Sequence, residues 1–251
     1  MEIACGSEKG NTRINNEDRY AVKSIGDLTL MVLADGIGGA EGGEIAASIA
    51  VDTVMDLFEK DAKTGALDDL DYKKFKEKST SYYQKSNYNI LIKAINEKEL
   101  MGMGTTLTCI LIRGNRLFIA HIGDSRAYLI HGSAITQLTG DHTYTAELLK
   151  SKSITEQEAK THPGKSILVR SLGVNAFIIP DIYCYNIIYG DLVLLCTDGV
   201  YSVLENHEIS DCLKKHNNLD GCVVNLIKKA EEKGSRDNIT AILAYVRPER
   251  K

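Results

Sequence analysis

The stretch Leu28-Thr29-Leu30-Met31-Val32-Leu33-Ala34-Asp35-Gly36-Ile37-Gly38-Gly39 runs apolar for seven residues and then stops at an acid set among glycines. Such a run bounded by turn residues predicts a buried strand, which places Asp35 at the strand's mouth. An ionised carboxylate there is costly to desolvate unless a cation or several donors meet it. Glycines let main-chain groups come close to whatever it holds. The pattern recurs in Leu192-Val193-Leu194-Leu195-Cys196-Thr197-Asp198-Gly199. Asp124 closes the run 117–123, and Asp237 opens the run 239–246. An isolated Asp-Gly is an ordinary turn dipeptide. Four strand-end aspartates in one chain are better explained by convergence on metal ions, which neutralise carboxylates that would otherwise repel.

Working outward, the chain alternates hairpins with amphipathic segments. Strands are expected near the N-terminus and at 20–24 and 28–34, with a polar turn over 7–16 that carries Arg13, Asn16, Glu17 and Asp18, and a tight Gly26-Asp27 turn. From Gly39 the period becomes helical, with Ala46, Ala50, Val54, Leu57 and Phe58 on one face. A polar, lysine-rich segment follows over 60–88 and leads into a second helix whose stripe reads Tyr88, Leu91, Ile92 and Ile95. A meander of strands is expected at 105–112, 117–122 and 125–131, and further strands at 167–170, 179–186 and 192–196. Helices are expected at 205–214 and 219–233, the latter with Cys222, Val223, Leu226, Ile227 and Ala230 inward, before a last strand. Residues 139–166 lack an apolar stripe and read as a surface flap, with a capping box at Ser153-x-x-Glu156. This order predicts an α+β layered sandwich of antiparallel sheets with helices packed outside. One domain spanning 1–251 is expected, with the flap as its subregion.

Composition bounds what such a fold could serve. The 251 residues are 43% hydrophobic and 25% charged, with a net charge of −4. No global basic field recruits nucleic acid or an anionic membrane. The N-terminal Met1-Glu2-Ile3-Ala4-Cys5 lacks a signal-peptide pattern and no run approaches a membrane span, so membrane insertion is not expected and a cytoplasmic setting is. Six cysteines without a Cys-x-x-Cys pair read as reduced core residues.

The candidate ligands are all oxygen donors: Asp35, Asp198, Asp237, Asp124, Glu17, Asp18 and the Gly36 carbonyl. Oxygen sets select hard cations, so Mg²⁺ or Mn²⁺ is expected. Two such ions about 3.5–4 Å apart, bridged by one carboxylate and one water, hold a nucleophile for attack at phosphorus. Asp35 is the expected bridge, and Arg13 supplies a forked phosphate clamp. No cysteine begins a Cys-x₅-Arg motif, and Ile37 occupies the position an Asp-x-Asp nucleophile motif needs. Activated water is therefore favoured over a covalent intermediate. His121 in its apolar strand is expected to pack in the core, and His142 to lie on the flap surface.

Taken in order, Arg13-x-x-Asn16-Glu17-Asp18, Ala34-Asp35-Gly36-x-Gly38-Gly39, Met103-Gly104-Thr105-Thr106, Gly123-Asp124-Ser125-Arg126, Leu138-Thr139-x-Asp141-His142, Arg170-Ser171-Leu172-Gly173, Cys196-Thr197-Asp198-Gly199 and Arg236-Asp237-Asn238-Ile239-Thr240 resemble the motifs of the metal-dependent protein phosphatases of type 2C. The flap text resembles the stand-alone bacterial branch. The resemblance implies a four-layer sandwich, two antiparallel sheets between pairs of helices, and hydrolysis of phosphoserine and phosphothreonine in proteins. It implies one ion on Asp35, Asp198 and Asp237, and a second on Asp35 and the Gly36 carbonyl with help from Glu17. Asp18 would act on the bound water, and a third, weaker ion would sit by Asp124 and Asp198 with the Ser166 carbonyl. Phosphorylated proteins, among them a Ser/Thr kinase and its substrates, are the implied partners of a monomeric enzyme. Many eukaryotic relatives carry histidine where this chain has Ile37, so a metal-bound water is the expected proton donor. The alternatives are an idle phosphoprotein-binding pseudophosphatase and a relative activated by a partner.

Overall fold

The computed structural model describes residues 1–38, 42–214 and 218–247. Two antiparallel sheets face one another. The first runs in the order β2 (Asp18–Ile25), β3 (Leu28–Ile37), β5 (Leu107–Arg113), β6 (Arg116–Ile122) and β9 (Asp181–Asn186), with the two-residue β4 (Gly104–Thr105) on the end of β3. The second runs β1 (Glu2–Glu8), β11 (Ile239–Tyr245), β10 (Leu192–Cys196), β7 (Arg126–His131) and β8 (Ala134–Gln137). The long apolar run of β3 is explained by burial on both faces. Leu30, Val32 and Ala34 point into the layer shared with helices, while Met31 and Leu33 point between the sheets. Alternation in a strand sends successive side chains to opposite faces.

Helices α1 (Gly42–Lys63) and α2 (Tyr72–Asn96) cover the first sheet. Helices α6 (Asn206–Lys214) and α7 (Leu219–Glu232) cover the second. Three apolar layers thus separate four layers of structure, in an α+β sandwich of the expected kind. Between them lie the short α3 (Tyr144–Lys150), α4 (Glu156–Thr161) and α5 (Asp198–Tyr201). The expected stripes of α1 and α7 are buried, with Leu57 half-buried against the same cluster. Gly39, where the first helix was expected to begin, lies outside the described residues.

The stripe expected for α2 faces the wrong way. Tyr88, Ile92 and Ile95 are exposed, and the buried face is Phe75, Ser79, Tyr82, Tyr83, Ser86, Asn87, Ile90 and Ala94. Several polar groups sit on that face because they find partners there, Tyr82 and Ser86 on α1 and Tyr83 and Asn87 beyond it. The Tyr83 hydroxyl lies 2.6 Å from the Ala120 carbonyl, and Asn87 donates to the Asn175 carbonyl and accepts from the Gly173 amide, both at 2.8 Å. Buried polar groups with partners do not announce themselves by hydropathy. Three smaller differences stand beside this one. Residues 167–170 form only an isolated bridge, Thr143 to Leu168, instead of a strand. The capping box is Thr155 with Glu158, two residues past the expected pair. Strand β8 and helix α5 had no signal in the periodicity.

Candidate metal centre

Strand ends from both sheets meet at one edge of the sandwich. Asp18 opens β2 directly opposite Asp35 on β3. From the other sheet, Thr197 and Thr240 reach across and donate to Asp18 Oδ2 at 3.0 and 2.6 Å. Thr197 is the residue before Asp198, and Thr240 lies three after Asp237, so these two bonds tie both sheets' acids to one place. Asp35 is held through its main chain: its amide donates to Thr106 Oγ1 at 2.9 Å, and its carbonyl accepts from the Thr106 amide and Thr105 Oγ1, also at 2.9 Å. The side chain is left for other work.

Glycine is needed where main chains crowd. A Cβ at Gly36 would sit 2.3 Å from the Gly43 carbonyl oxygen, and the Gly36 amide donates to the Glu17 carbonyl. Glu17 itself is half-buried beside Gly43.

The electrostatics of this edge are those of crowded acids. Burial, followed by the charges of Asp18, Asp198, Asp124 and Asp237, pushes the Asp35 carboxyl well above the usual carboxylate range. Asp198 is raised for the same reasons, with burial first and then Asp124 and Asp237. Burial lifts Asp18 to about 7 against the lowering effect of its two hydroxyl donors. Asp124 is pushed up to about 6, chiefly by burial and then by Asp141. Asp18 Oδ1 and Asp198 Oδ1 are buried without a hydrogen-bond partner. Buried acceptors without partners are rare and costly. Among the described residues, no three acidic, histidine or cysteine side chains form a finished cage. The donor set nevertheless fits hard divalent ions: oxygen atoms only, negative charge in excess, and two buried acceptors in want of a cation.

Of the residues expected at the site, Asp18, Asp35, Asp124, Asp198 and Asp237 share this electrostatic neighbourhood. Arg13 is there too, donating to Asp237 Oδ2 at 2.6 Å. Ser166 is exposed in the turn after α4, and no side-chain bond joins it to Asp124 or Asp198. Ile37 is exposed on the last residue of β3. His142, expected on the flap surface, is instead buried and stacked on the fully buried His121, ring centroids 4.9 Å apart. Its imidazole is covered by His121 on one face and by bonds to the Gly123 amide and the Asp181 carboxylate at its edges.

A family model described as Protein phosphatase 2C matches residues 5–244. The chain belongs to that family. It is 33% identical over 244 residues to the serine/threonine phosphatase stp of Listeria welshimeri, covering 97% of this chain and 95% of the relative. It is 34% identical over 251 residues to the protein phosphatase PhpP of Streptococcus pneumoniae, covering 99% of each. The crystal structure of the catalytic domain of the serine/threonine protein phosphatase PstP, in complex with two manganese ions, superposes with a TM-score of 0.81 at 32% identity and 98% coverage of both chains. As an enzyme, then, this member of the protein phosphatase 2C family is a protein phosphatase.

Several residues that shape this acid-lined edge carry no catalytic signature of their own. Asn238 is the clearest: its side chain accepts from the Glu17 amide at 2.8 Å and donates to the Lys9 and Asn15 carbonyls at 2.9 Å. It fixes the loop that presents Arg13 and Glu17. Asn16 accepts from the Asp18 amide and donates to Ser7. The hydroxyls of Thr197 and Thr240 do the same for the Asp18 carboxylate. Their only signal was a place within three residues of a candidate acid.

Proposed function

We propose that this chain hydrolyses phosphoserine and phosphothreonine in proteins with divalent ions, Mn²⁺ or Mg²⁺, held at the acid-lined edge. The observation that carries the reading is the convergence of Asp18, Asp35, Asp124 and Asp198 with two buried carboxylate oxygens lacking partners. Asp35, Asp198 and Asp237 hold one ion; Asp35 and the Gly36 carbonyl, with Glu17, hold the second; Asp124, Asp198 and the Ser166 carbonyl are the candidates for a third, weaker one. The ions supply charge neutralisation at the phosphoryl oxygens and a water acidic enough to attack at neutral pH.

The chain's own residues do the rest. Asp18, buried with its carboxylate fixed by two hydroxyls, accepts the proton of the attacking water. Its second oxygen, Oδ1, is buried without a partner and is left to accept that proton. Arg13 clamps the phosphate, exchanging its bond to Asp237 for two phosphoryl oxygens. Thr105 and Thr106 hold the Asp35 main chain so that its carboxylate direction is fixed before substrate arrives. Ile37 follows Asp35-Gly36, so on this reading solvent held at the centre is the proton source for the leaving group.

Residues 1–251 act as one catalytic unit on this reading, with 139–166 as the flap beside the substrate. A Ser/Thr kinase and its phosphorylated targets are the partners, and a cytoplasmic monomer is the working form. Among the described residues no helix is long and apolar enough to cross a membrane. Phosphate release from a phosphothreonine peptide with Mn²⁺, abolished by chelation and by Asp198→Ala, is the expected result. A protein that binds the peptide but never releases phosphate is idle, and one that turns over only after a second protein is added is partner-activated.

A further inference from the structure

The buried imidazole of His142 has no part in the chemistry above, yet every polar atom it owns is engaged. Gly123, immediately before Asp124, has φ of +113°, and a Cβ there would sit 2.4 Å from the Thr106 side chain. Both of its main-chain polar groups go to one residue. The Gly123 amide donates to His142 Nδ1 at 3.0 Å, and the His142 amide donates to the Gly123 carbonyl at 2.8 Å. Since a main-chain N–H can only donate, Nδ1 is the accepting nitrogen and the ring proton of neutral His142 sits on Nε2. That proton goes to Asp181 Oδ2 at 3.1 Å. Arg170 Nη1 lies 2.7 Å from the same nitrogen, but two donors cannot bond each other. Its bond is to Asp181 Oδ1, also at 2.7 Å.

We propose that His142 is a positioning residue for Asp124: it grips Gly123 from both sides and so ties the Asp124 loop to the root of the flap. Upstream the loop leaves β6 at Ile122, which pairs with Leu107; downstream, among the described residues, the Tyr201 hydroxyl donates to the Asp124 carbonyl at 2.8 Å and Ser125 Oγ meets Thr106 Oγ1 at 3.0 Å. The root is a zipper in which His142 is the first tooth. Val169 donates to the His142 carbonyl at 2.9 Å, Thr143 pairs with Leu168, and the Tyr144 amide donates to the Ile167 carbonyl at 2.8 Å. Displacing 167–170 pulls on His142, hence on Gly123 and the Asp124 carboxylate. Ligand-orienting residues of this kind change metal affinity by about 10–100-fold when removed. That Asp124 helps hold an ion rests on the function proposed above; the grip on Gly123 does not.

The two amides of similar shape separate the atoms. His142→Asn sets its side-chain oxygen near the place of Nδ1, whereas His142→Gln sets its amide near Nε2. In the full metal-free chain, the Gly123 amide of His142→Asn is expected to exchange hydrogen within about threefold of the parent rate, and that of His142→Gln at least about tenfold faster. In Mn²⁺ titrations His142→Gln is expected to weaken, by about 10–100-fold, the same binding step that Asp124→Asn removes, and His142→Asn to leave it near the parent value. Equal exchange rates in the two variants would overturn the proposal. So would a ¹⁵N spectrum of the parent protein placing the ring proton on Nδ1, a measurement that needs no variant to fold. If Asp124→Asn removes no Mn²⁺ step, the ion assignment fails, and the exchange rates alone decide the grip.

Discussion

The space between the two sheets and the edge where those sheets end are built from the same strands to opposite rules. Between the sheets, Met31, Leu33, Ile110, Ile119, Val193, Leu195 and Ile242 are buried at 0% exposure, so this layer contributes apolar burial without a polar debt. A few residues along, β3 delivers Asp35 and β10 leads to Asp198, carboxylates driven well above their ordinary range by burial and by one another. The fold therefore gains its stability in the middle of the strands and loses some of it at their ends. Sites that do chemistry commonly carry such a local cost. What binds the edge should recover it.

Neutralising one edge acid is expected to have the largest effect. Asp198→Asn is expected to lower kcat/KM at least about 10³-fold while raising the melting temperature of the metal-free protein, because one of the mutually repelling charges is gone. Kinetics with a phosphothreonine peptide and a thermal melt in chelator check the two halves. The converse substitution, Leu33→Ala between the sheets, is expected to cost about 2–5 kcal/mol in denaturant unfolding and to leave the Mn²⁺ affinity of the folded protein nearly unchanged.

A divalent ion sharpens the contrast from the other side. At 100 times its dissociation constant, Mn²⁺ is expected to add about 2.7 kcal/mol per independent site, read as a rise in urea midpoint that chelation reverses.

The smallest effect is the pH slope, and there the two regions oppose each other. Asp124, about 6 in the fold and near 3.9 unfolded, contributes stability that is full below the unfolded value and is lost as pH rises through 6. His121 is fully buried, bonded to Thr108 and the Gly140 carbonyl, and burial lowers it to about 3. Because the unfolded chain binds that proton more readily, its contribution grows as pH rises from 3 to about 6.5. In metal-free protein between pH 4 and 6, Asp124→Asn should make the slope of unfolding free energy more positive, and His121→Gln more negative. Urea titrations at several pH values measure both.

The same contrast explains what could be read from the residues beforehand. Strands buried on both faces leave an unbroken apolar run, so β3, β10 and β11 were legible, and with them the acids that terminate them. Helix α7 was legible because its inward face is wholly apolar. Helix α2 was not: its inward face carries Ser79, Ser86 and Asn87, and the partners of the last two lie far along the chain at Ala50, Gly173 and Asn175. An apolar stripe of Tyr88, Ile92 and Ile95 competed with it and lost. The acids of the site were legible as repeated punctuation. Their supports were not, since Asn238, Thr197, Thr240 and His142 act through bonds to atoms that only the folded chain brings near.

On the function proposed above, the edge acids hold divalent ions that hydrolysis requires. Isothermal titration of Mn²⁺ into chelator-stripped protein, with phosphate release followed on the same samples, tests it most directly. At least two ions are expected to bind per chain, with activity appearing as they do and both lost in Asp198→Asn. Full phosphatase activity in protein shown to be free of metal would contradict it.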